Sequence, residues 1–150
     1  MKLEDELKMS KFKSEWHHAS LNIIFTAYWL NDKVKDLLKP FGVTAQQFNV
    51  LRILRGQHPS PISTSEIRNR MLDRMPDTSR IVDRLHNQGL LERRVCKGDK
   101  RLVDVCITES GLKLLADIDA MAGPNIENNL NGLTEEEAIQ LSVLLDKARG

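Results

Sequence analysis

Only two cysteines occur in the 150 residues. That is too few for a disulfide framework, and the scarcity suits a reducing compartment. No apolar run approaches the roughly 20 residues that a membrane-spanning helix needs. Residues 1–13 alternate charges and lack the apolar core of a signal peptide. A cytoplasmic location is therefore expected, with no membrane partner. Metal-ligand spacings are missing too, since there is neither a Cys-x-x-Cys nor a His-x-x-x-His. His17 and His18 are neighbours that a helix turns about 100° apart, and His58 and His86 stand alone. No nucleophile elbow, phosphate loop or acid-base pair is visible, so no enzyme chemistry, metal or cofactor is expected.

What is present is a globular mixture. Apolar residues make up 41% and charged residues 29%, which separates the chain from disordered sequences. A chain of this length can bury roughly two-thirds of its unfolded surface and needs no staples. The net charge of +1 conceals a strong asymmetry. Residues 1–51 carry 7 basic and 6 acidic side chains, residues 52–101 carry 12 and 6, and residues 102–150 carry 3 and 9. A basic middle segment points to one surface that meets a polyanion, the alternative being a solvated basic face.

Helical spacing runs from about Glu15 to Leu38, with Leu21, Ile24, Phe25, Tyr28, Val34, Leu37 and Leu38 on the apolar positions. Pro40 and Gly42 end it. Thr44 and Gln47 form a capping box that opens a second helix, with Phe48, Leu51 and Leu54 as its stripe and Gly56 as its close. The loop His58-Pro59-Ser60-Pro61 follows. Ser63 and Glu66 read as a second capping box, opening a short helix to about Leu72. Pro76 suits the first turn of a fourth helix, which runs to Asn87 and stops at Gly89, a left-handed C-cap. Leu91–Cys96 and Leu102–Ile107 read as strands of a hairpin with the basic tip Lys97-Gly98-Asp99-Lys100-Arg101. Thr108 caps a fifth helix carrying Leu112, Leu115 and Ile118, and Gly123-Pro124 should bend or interrupt it. Thr134 and Glu137 form a third capping box, opening a last helix with Leu141, Leu144, Leu145 and Ala148.

Two short helices followed by a basic-tipped hairpin have the order of a helix-turn-helix with a wing. A helix fits the major groove, where exposed side chains meet base edges. A hairpin beside it reaches the backbone or the neighbouring minor groove. On a wheel of 100° per residue, Thr78, Ile81, Val82 and Leu85 of the fourth helix share one side and should face the core. Ser79, Arg80, Asp83 and Asn87 share the other, with Arg84 flanking. An ordinary amphipathic surface helix has the same pattern, so the wheel alone does not decide.

Five blocks in one order carry a resemblance. They are Ser63-Thr64-Ser65-Glu66-Ile67, Thr78-Ser79-Arg80-Ile81-Val82-Asp83-Arg84-Leu85, Gln88-Gly89-Leu90-Leu91-Glu92-Arg93-Arg94, Gly98-Asp99-Lys100-Arg101 and Ile107-Thr108-Glu109-Ser110-Gly111. Residues 44–113 resemble the multiple-antibiotic-resistance regulator (MarR) family, whose Asp-x-Arg wing matches Asp99 and Arg101 and whose Leu-Thr-x-x-Gly helix start matches 107–111. The implied fold is mainly α with a small β-hairpin wing, a winged helix-turn-helix with N- and C-terminal dimerisation helices. One domain, 1–150, would contain a DNA-binding lobe at about 44–108 and dimerisation helices at about 12–39 and 109–150.

The resemblance also implies roles. Ser79, Arg80 and Arg84 would lie in or beside the major groove, Ser63 and Ser65 would be further DNA-binding residues, Arg101 would enter the minor groove, and Lys97 and Lys100 would meet phosphates. Asp83 and Asp99 would orient arginines such as Arg94 or Arg101 in support of the wing. A pocket for small aromatic or phenolic effectors is implied, with Trp16, Phe25, Tyr28, Trp29 and Phe48 as candidate lining; core and dimer packing is the other reading of those rings. Two positions depart from the family pattern. Arg68-Asn69 stands where a small residue is usual, and Met75-Pro76 stands where a capping Ser or Thr is common, so a displaced start of the recognition helix is expected.

The expected function is a homodimeric regulator of transcription on a pseudo-palindromic double-stranded operator, a repressor released by a small molecule. Two alternatives stand beside it. One is a winged-helix interaction module that does not bind DNA. The other is a redox-responsive regulator using Cys96 or Cys106. A bridge between those two is not expected, because the residue opposite Cys96 lies four or five positions from Cys106. At about 3.3 Å per residue that exceeds 10 Å, beyond the roughly 7 Å Cα limit of a disulfide.

Overall fold

The computed structural model describes residues 1–9, 11–73, 77–95, 103–123 and 130–150, with the side chains of Arg94, Val95 and Val103 excepted. A five-residue helix, α1 (Leu3–Leu7), comes first. Five residues are too few for a periodic pattern, so this helix is not legible in the sequence. Its Leu3 is buried.

Helix α2 (Glu15–Leu38) has the expected bounds, and Ser14 caps it by accepting the N–H of His17. It gives way to a 3-10 turn over Lys39–Phe41 and to Gly42 at φ 67°, a conformation that costs glycine nothing. Within this chain α2 buries only Leu38. Trp16, Ile23, Ile24 and Tyr28 remain exposed.

Helix α3 (Ala45–Gln57) begins with the complete Thr44–Gln47 box. The Gln47 N–H donates to Thr44 Oγ1 at 3.1 Å, and the Thr44 N–H donates to Gln47 Oε1 at 2.9 Å. Its apolar stripe is the core of the molecule, with Val50, Leu51 and Leu54 almost wholly enclosed. The helix runs one residue past Gly56 rather than closing on it.

A two-residue strand, β1 (Ile62–Ser63), precedes α4 (Thr64–Arg70). Two residues offer no alternation to read, so this strand too was not expected. The second capping box is only half formed. Ser63 accepts the Glu66 N–H at 3.1 Å, but the Glu66 carboxylate turns to Arg70, four residues on, at 3.1 Å. An ion pair one turn along the helix has displaced the reciprocal bond.

Helix α5 (Thr78–Asn87) starts two residues beyond Pro76, which lies outside the described residues. Asp77 is its N-cap and accepts the Arg80 N–H. The expectation that Pro76 sits in the first turn is therefore corrected, because a capping carboxylate follows it. Gly89, at φ 72°, ends the helix as expected.

Strands β2 (Leu91–Val95) and β3 (Val103–Ile107) form the hairpin. Leu91 lies opposite Ile107 and Val95 opposite Val103. On its other edge β3 pairs with β1, with Val105 opposite Ile62. The sheet is antiparallel in the order β1-β3-β2.

Helix α6 (Glu109–Ala122) follows at once. Thr108 Oγ1 accepts the Gly111 N–H at 3.2 Å and donates to the Gly89 carbonyl at 2.7 Å. The helix ends before Gly123, so that position terminates rather than bends it; Pro124 lies outside the described residues. The chain divides into two compact units, Met1–Ile118 and Asp119–Gly150, with the boundary inside α6. The second unit contains α7 (Glu135–Arg149), opened by the complete Thr134–Glu137 box. This helix buries nothing, and Ile139, Leu141, Val143 and Leu144 are exposed on it.

Candidate nucleic-acid interface

The two faces of α5 divide as its sequence requires. Thr78, Ile81, Val82 and Leu85 are 1%, 8%, 1% and 0% exposed. Full burial of a Val, Leu or Ile side chain contributes roughly 1.5–3 kcal/mol each, so this face fixes the rotation of the helix about its axis. Once that rotation is set, Ser79, Arg80, Asp83, Arg84 and Asn87 must point to solvent, and all five are exposed.

Residues 71–73, which follow α4, are held from three sides. Thr78 Oγ1 donates to the Met71 sulfur at 3.6 Å in the interior. Asn49 on α3 accepts the Leu72 N–H at 3.1 Å, and Gln46 donates to the Asp73 carboxylate at 3.3 Å. Arg70 reaches Gln57 at 2.8 Å as well as Glu66. Helix α3 thus acts as the frame on which the helix pair is mounted. None of Gln46, Asn49 or Gln57 was singled out from sequence, because a polar residue beside an apolar stripe looks like any surface position.

Acidic side chains pair with two arginines here, Arg80 and Arg93. The Arg80 Nε lies 3.1 Å from Asp77 Oδ2 in an ion pair, with the arginine side chain 81% exposed. Arg93 on β2 donates to the Asp83 carboxylate. Asp83 was expected to orient Arg94 or Arg101. Its partner among the described residues is Arg93, which lies opposite Val105 on β3. The backbone of Arg94 lies opposite Asp104; its side chain, and all of Cys96, Lys97, Asp99, Lys100 and Arg101, lie outside the described residues. Asp77 and Arg93 are the two members of these pairs that the sequence does not single out. The signal for Asp77 was an N-cap type three residues before an arginine.

The serines differ. Ser65 is exposed near the start of α4, whereas Ser63 is half-buried and its hydroxyl serves the N-cap.

Of the five candidate pocket rings, only Phe25 and Trp29 share a depression within one chain. Phe48 is 7% exposed and packs within the core, with the Arg52 guanidinium 5.7 Å from its ring centre. Trp16 and Tyr28 are 82% and 69% exposed, and twelve residues of helix separate them by about 18 Å. Phe25 lines a small open depression of about 170 Å³ with Met1, Leu3, Asn22, Thr26 and Trp29. A helix one side of which shows Trp16 and the other Phe25 cannot wrap a single small ligand, so the expected lining does not assemble within one protomer. Among the described residues no cluster of His, Cys, Asp or Glu is arranged to hold a metal ion. Cys106 is buried opposite Glu92.

Comparison with known proteins bears on the whole arrangement. The MarR family model matches residues 41–102. The regulator PecS of Dickeya dadantii is 33% identical over 124 residues, covering 79% of this chain and 72% of that protein. The regulator MhqR of Bacillus subtilis is 27% identical over 118 residues, covering 79% and 80%. Both are described as HTH-type transcriptional regulators. Among solved structures, a mutant MarR of E. coli complexed with operator DNA superposes with a TM-score of 0.79 at 26% identity, covering 93% of this chain and 99% of that one. A MarR transcription factor of Planctomyces limnophilus does so with a TM-score of 0.69 at 32% identity, covering 91% and 98%.

Proposed function

The chain belongs to the MarR family of helix-turn-helix transcriptional regulators, and we propose that it binds a pseudo-palindromic DNA operator as a homodimer and represses transcription until a small molecule releases it. Like its curated relatives it is a regulator and not an enzyme. The observation that carries the DNA-binding reading is the division of α5. Its buried face sets its rotation, and its exposed face presents Ser79, Arg80 and Arg84 together. In this reading α5 enters the major groove with Arg80 on a base edge, while Ser65 and Ser63 at the start of α4 lie beside the phosphates. Lys97 and Lys100 of the wing meet phosphates and Arg101 the minor groove. These assignments follow from the family pattern in the sequence, as does Asp99 as a support of Arg101.

The division of labour within the chain follows the same reading. Residues 44–108 form the DNA-reading lobe, and residues 12–39 and 109–150 supply dimerisation helices. The exposed Trp16, Ile23, Ile24 and Tyr28 of α2, and Ile139, Val143 and Leu144 of α7, support pairing. Apolar area of this kind is worth about 25 cal/mol per Å² once removed from water. In a dimer, rings that lie far apart on one protomer can meet those of its partner, which is where an aromatic effector would wedge. Such a ligand acts only if it prefers the DNA-incompetent spacing of the two lobes. No described helix is long and apolar enough to cross a membrane, and a cytoplasmic regulator is the reading we adopt.

The test separates reading from holding. Arg80→Ala should remove a bidentate base contact, costing about 1–3 kcal/mol and relaxing preference at one base position per half-site. Arg101→Ala should weaken binding more evenly across sequences and lower the salt slope by about one unit for each phosphate the arginine had neutralised. Both variants are titrated against operator and scrambled duplexes at several salt concentrations. Equal weakening of both duplexes by Arg80→Ala would refute the assignment of the reading face. Intact binding by both variants would favour an interaction module instead.

A further inference from the structure

We propose that Asp77 is a specificity-determining positioning residue, whose carboxylate aims the Arg80 guanidinium at a base edge. The inference rests on the reading of Arg80 as a base contact. One carboxylate holds Arg80 at both ends. Its Oδ1 accepts the Arg80 backbone N–H at 3.4 Å, and its Oδ2 meets the side-chain Nε at 3.1 Å. The first bond ties the carboxylate to the start of α5, so the second ties the guanidinium to the same frame.

The geometry selects which part of the guanidinium is left to work. A guanidinium carries five N–H donors in a planar fork. With Nε held in an ion pair against Asp77, the pair of Nη groups remains, and among the described residues no hydrogen bond to either is seen. That pair matches the O6 and N7 acceptors of guanine. An 81% exposed arginine would otherwise sample many rotamers and lose that freedom on meeting the base. A tethered one has less to lose. As a contribution to folding an exposed pair of this kind is small; its effect belongs to recognition.

Asp77 also places a negative charge, its side chain 57% exposed, beside a surface that meets a polyanion. That charge opposes every phosphate backbone regardless of sequence. The carboxylate should therefore lower affinity for all DNA while raising discrimination at one base. A carboxylate that only capped the helix would oppose the phosphates too but would leave discrimination untouched, so the loss of discrimination is the readout that separates the two roles.

The variant is Asp77→Ser, since serine caps a helix about as well as aspartate. Wild type, Asp77→Ser, Arg80→Ala and the double variant are prepared as full-length protein. They are titrated at one salt concentration against three probes: a duplex selected by the wild-type protein from a randomised pool, its single-base variants, and a scrambled duplex. Thermal unfolding confirms that the cap survives. Asp77→Ser should bind the scrambled duplex about two- to fivefold more tightly. Its discrimination at the Arg80-dependent base should fall about three- to tenfold, part of what a bidentate contact contributes. In the Arg80→Ala background it should lower discrimination no further. Unchanged or improved discrimination by Asp77→Ser, or an equal loss without Arg80, overturns the inference and leaves the reading of Arg80 standing. Full discrimination by Arg80→Ala overturns both.

Discussion

Replacing Gly111 by alanine sets two physical effects of opposite sign against each other. Gly111 is the third residue of α6, where alanine has the higher helix propensity by up to about 1 kcal/mol. Space opposes the change. A Cβ at this position would lie 2.3 Å from the Leu90 carbonyl oxygen and 2.6 Å from Ile107 Cγ1, against an ordinary contact that begins at 3.4 Å. About 1 Å must therefore be found, and neither neighbour yields freely. The Leu90 oxygen accepts the Thr108 N–H at 3.2 Å, and Ile107 is 5% exposed at the end of β3. Overpacking of this kind costs about 1–3 kcal/mol, occasionally more, and the displaced strand end endangers the Thr108–Gly89 bond as well. We expect a net loss of about 2–3 kcal/mol. For a chain of this size that lowers Tm by roughly 4–12 °C, read by thermal unfolding at fixed protein concentration, because dimerisation makes Tm concentration-dependent. Gly89→Ala is the contrasting case: nothing lies within 4 Å of its Cβ, but φ is 72°, so its cost is conformational, about 1–2 kcal/mol. A Gly111→Ala variant as stable as wild type, or more so, would refute the packing argument.

Light scattering at micromolar concentration should give about twice the mass of one chain; a folded monomer there would remove the explanation for the bare apolar faces of α2 and α7. Thr44→Ala should cost about 1 kcal/mol by denaturant titration with an unchanged m value, since it opens the α3 box without altering the surface exposed on unfolding. A double-mutant cycle on Asp83 and Arg93 should give a coupling below about 1 kcal/mol in stability, as both side chains are partly exposed. An aromatic acid that weakens operator binding must itself be bound more weakly, by the same factor, when operator is present; calorimetry with and without operator checks the equality.

Capping chemistry made most of the helix boundaries legible in the sequence. Thr44 with Gln47 and Thr134 with Glu137 placed two helix starts correctly, because both bonds of each box are local and nothing nearby competes for them. Ser63 with Glu66 had the same pattern, but Arg70 claimed the carboxylate. The buried face of α5 was legible because four core residues at helical spacing leave one rotation. Helix α1 and strand β1 were not, being too short to show a period. The ion pairs of the candidate interface were legible only as residue types. Asp83 had several arginines within reach of a hairpin, and its pairing with Arg93 appears only when the register is known. The aromatic side chains were legible as positions on two helices, but helical periodicity does not show whether rings share a cavity.

Strand β3 is pinned along both edges, with Ile62 and Arg93 both opposite Val105. A hairpin whose register depended on its turn alone would slip when the turn changed length, and every side chain would change face. Here β1 holds the inner strand independently of what joins Val95 to Val103. The connecting residues are thereby released from any part in alignment. Their number can grow or shrink at a closure cost that rises only logarithmically, and the helix pair behind them keeps its position. The wing is a replaceable part on a fixed mount: grafts of longer or differently charged tips should alter reach along the DNA while leaving the reading helix in place.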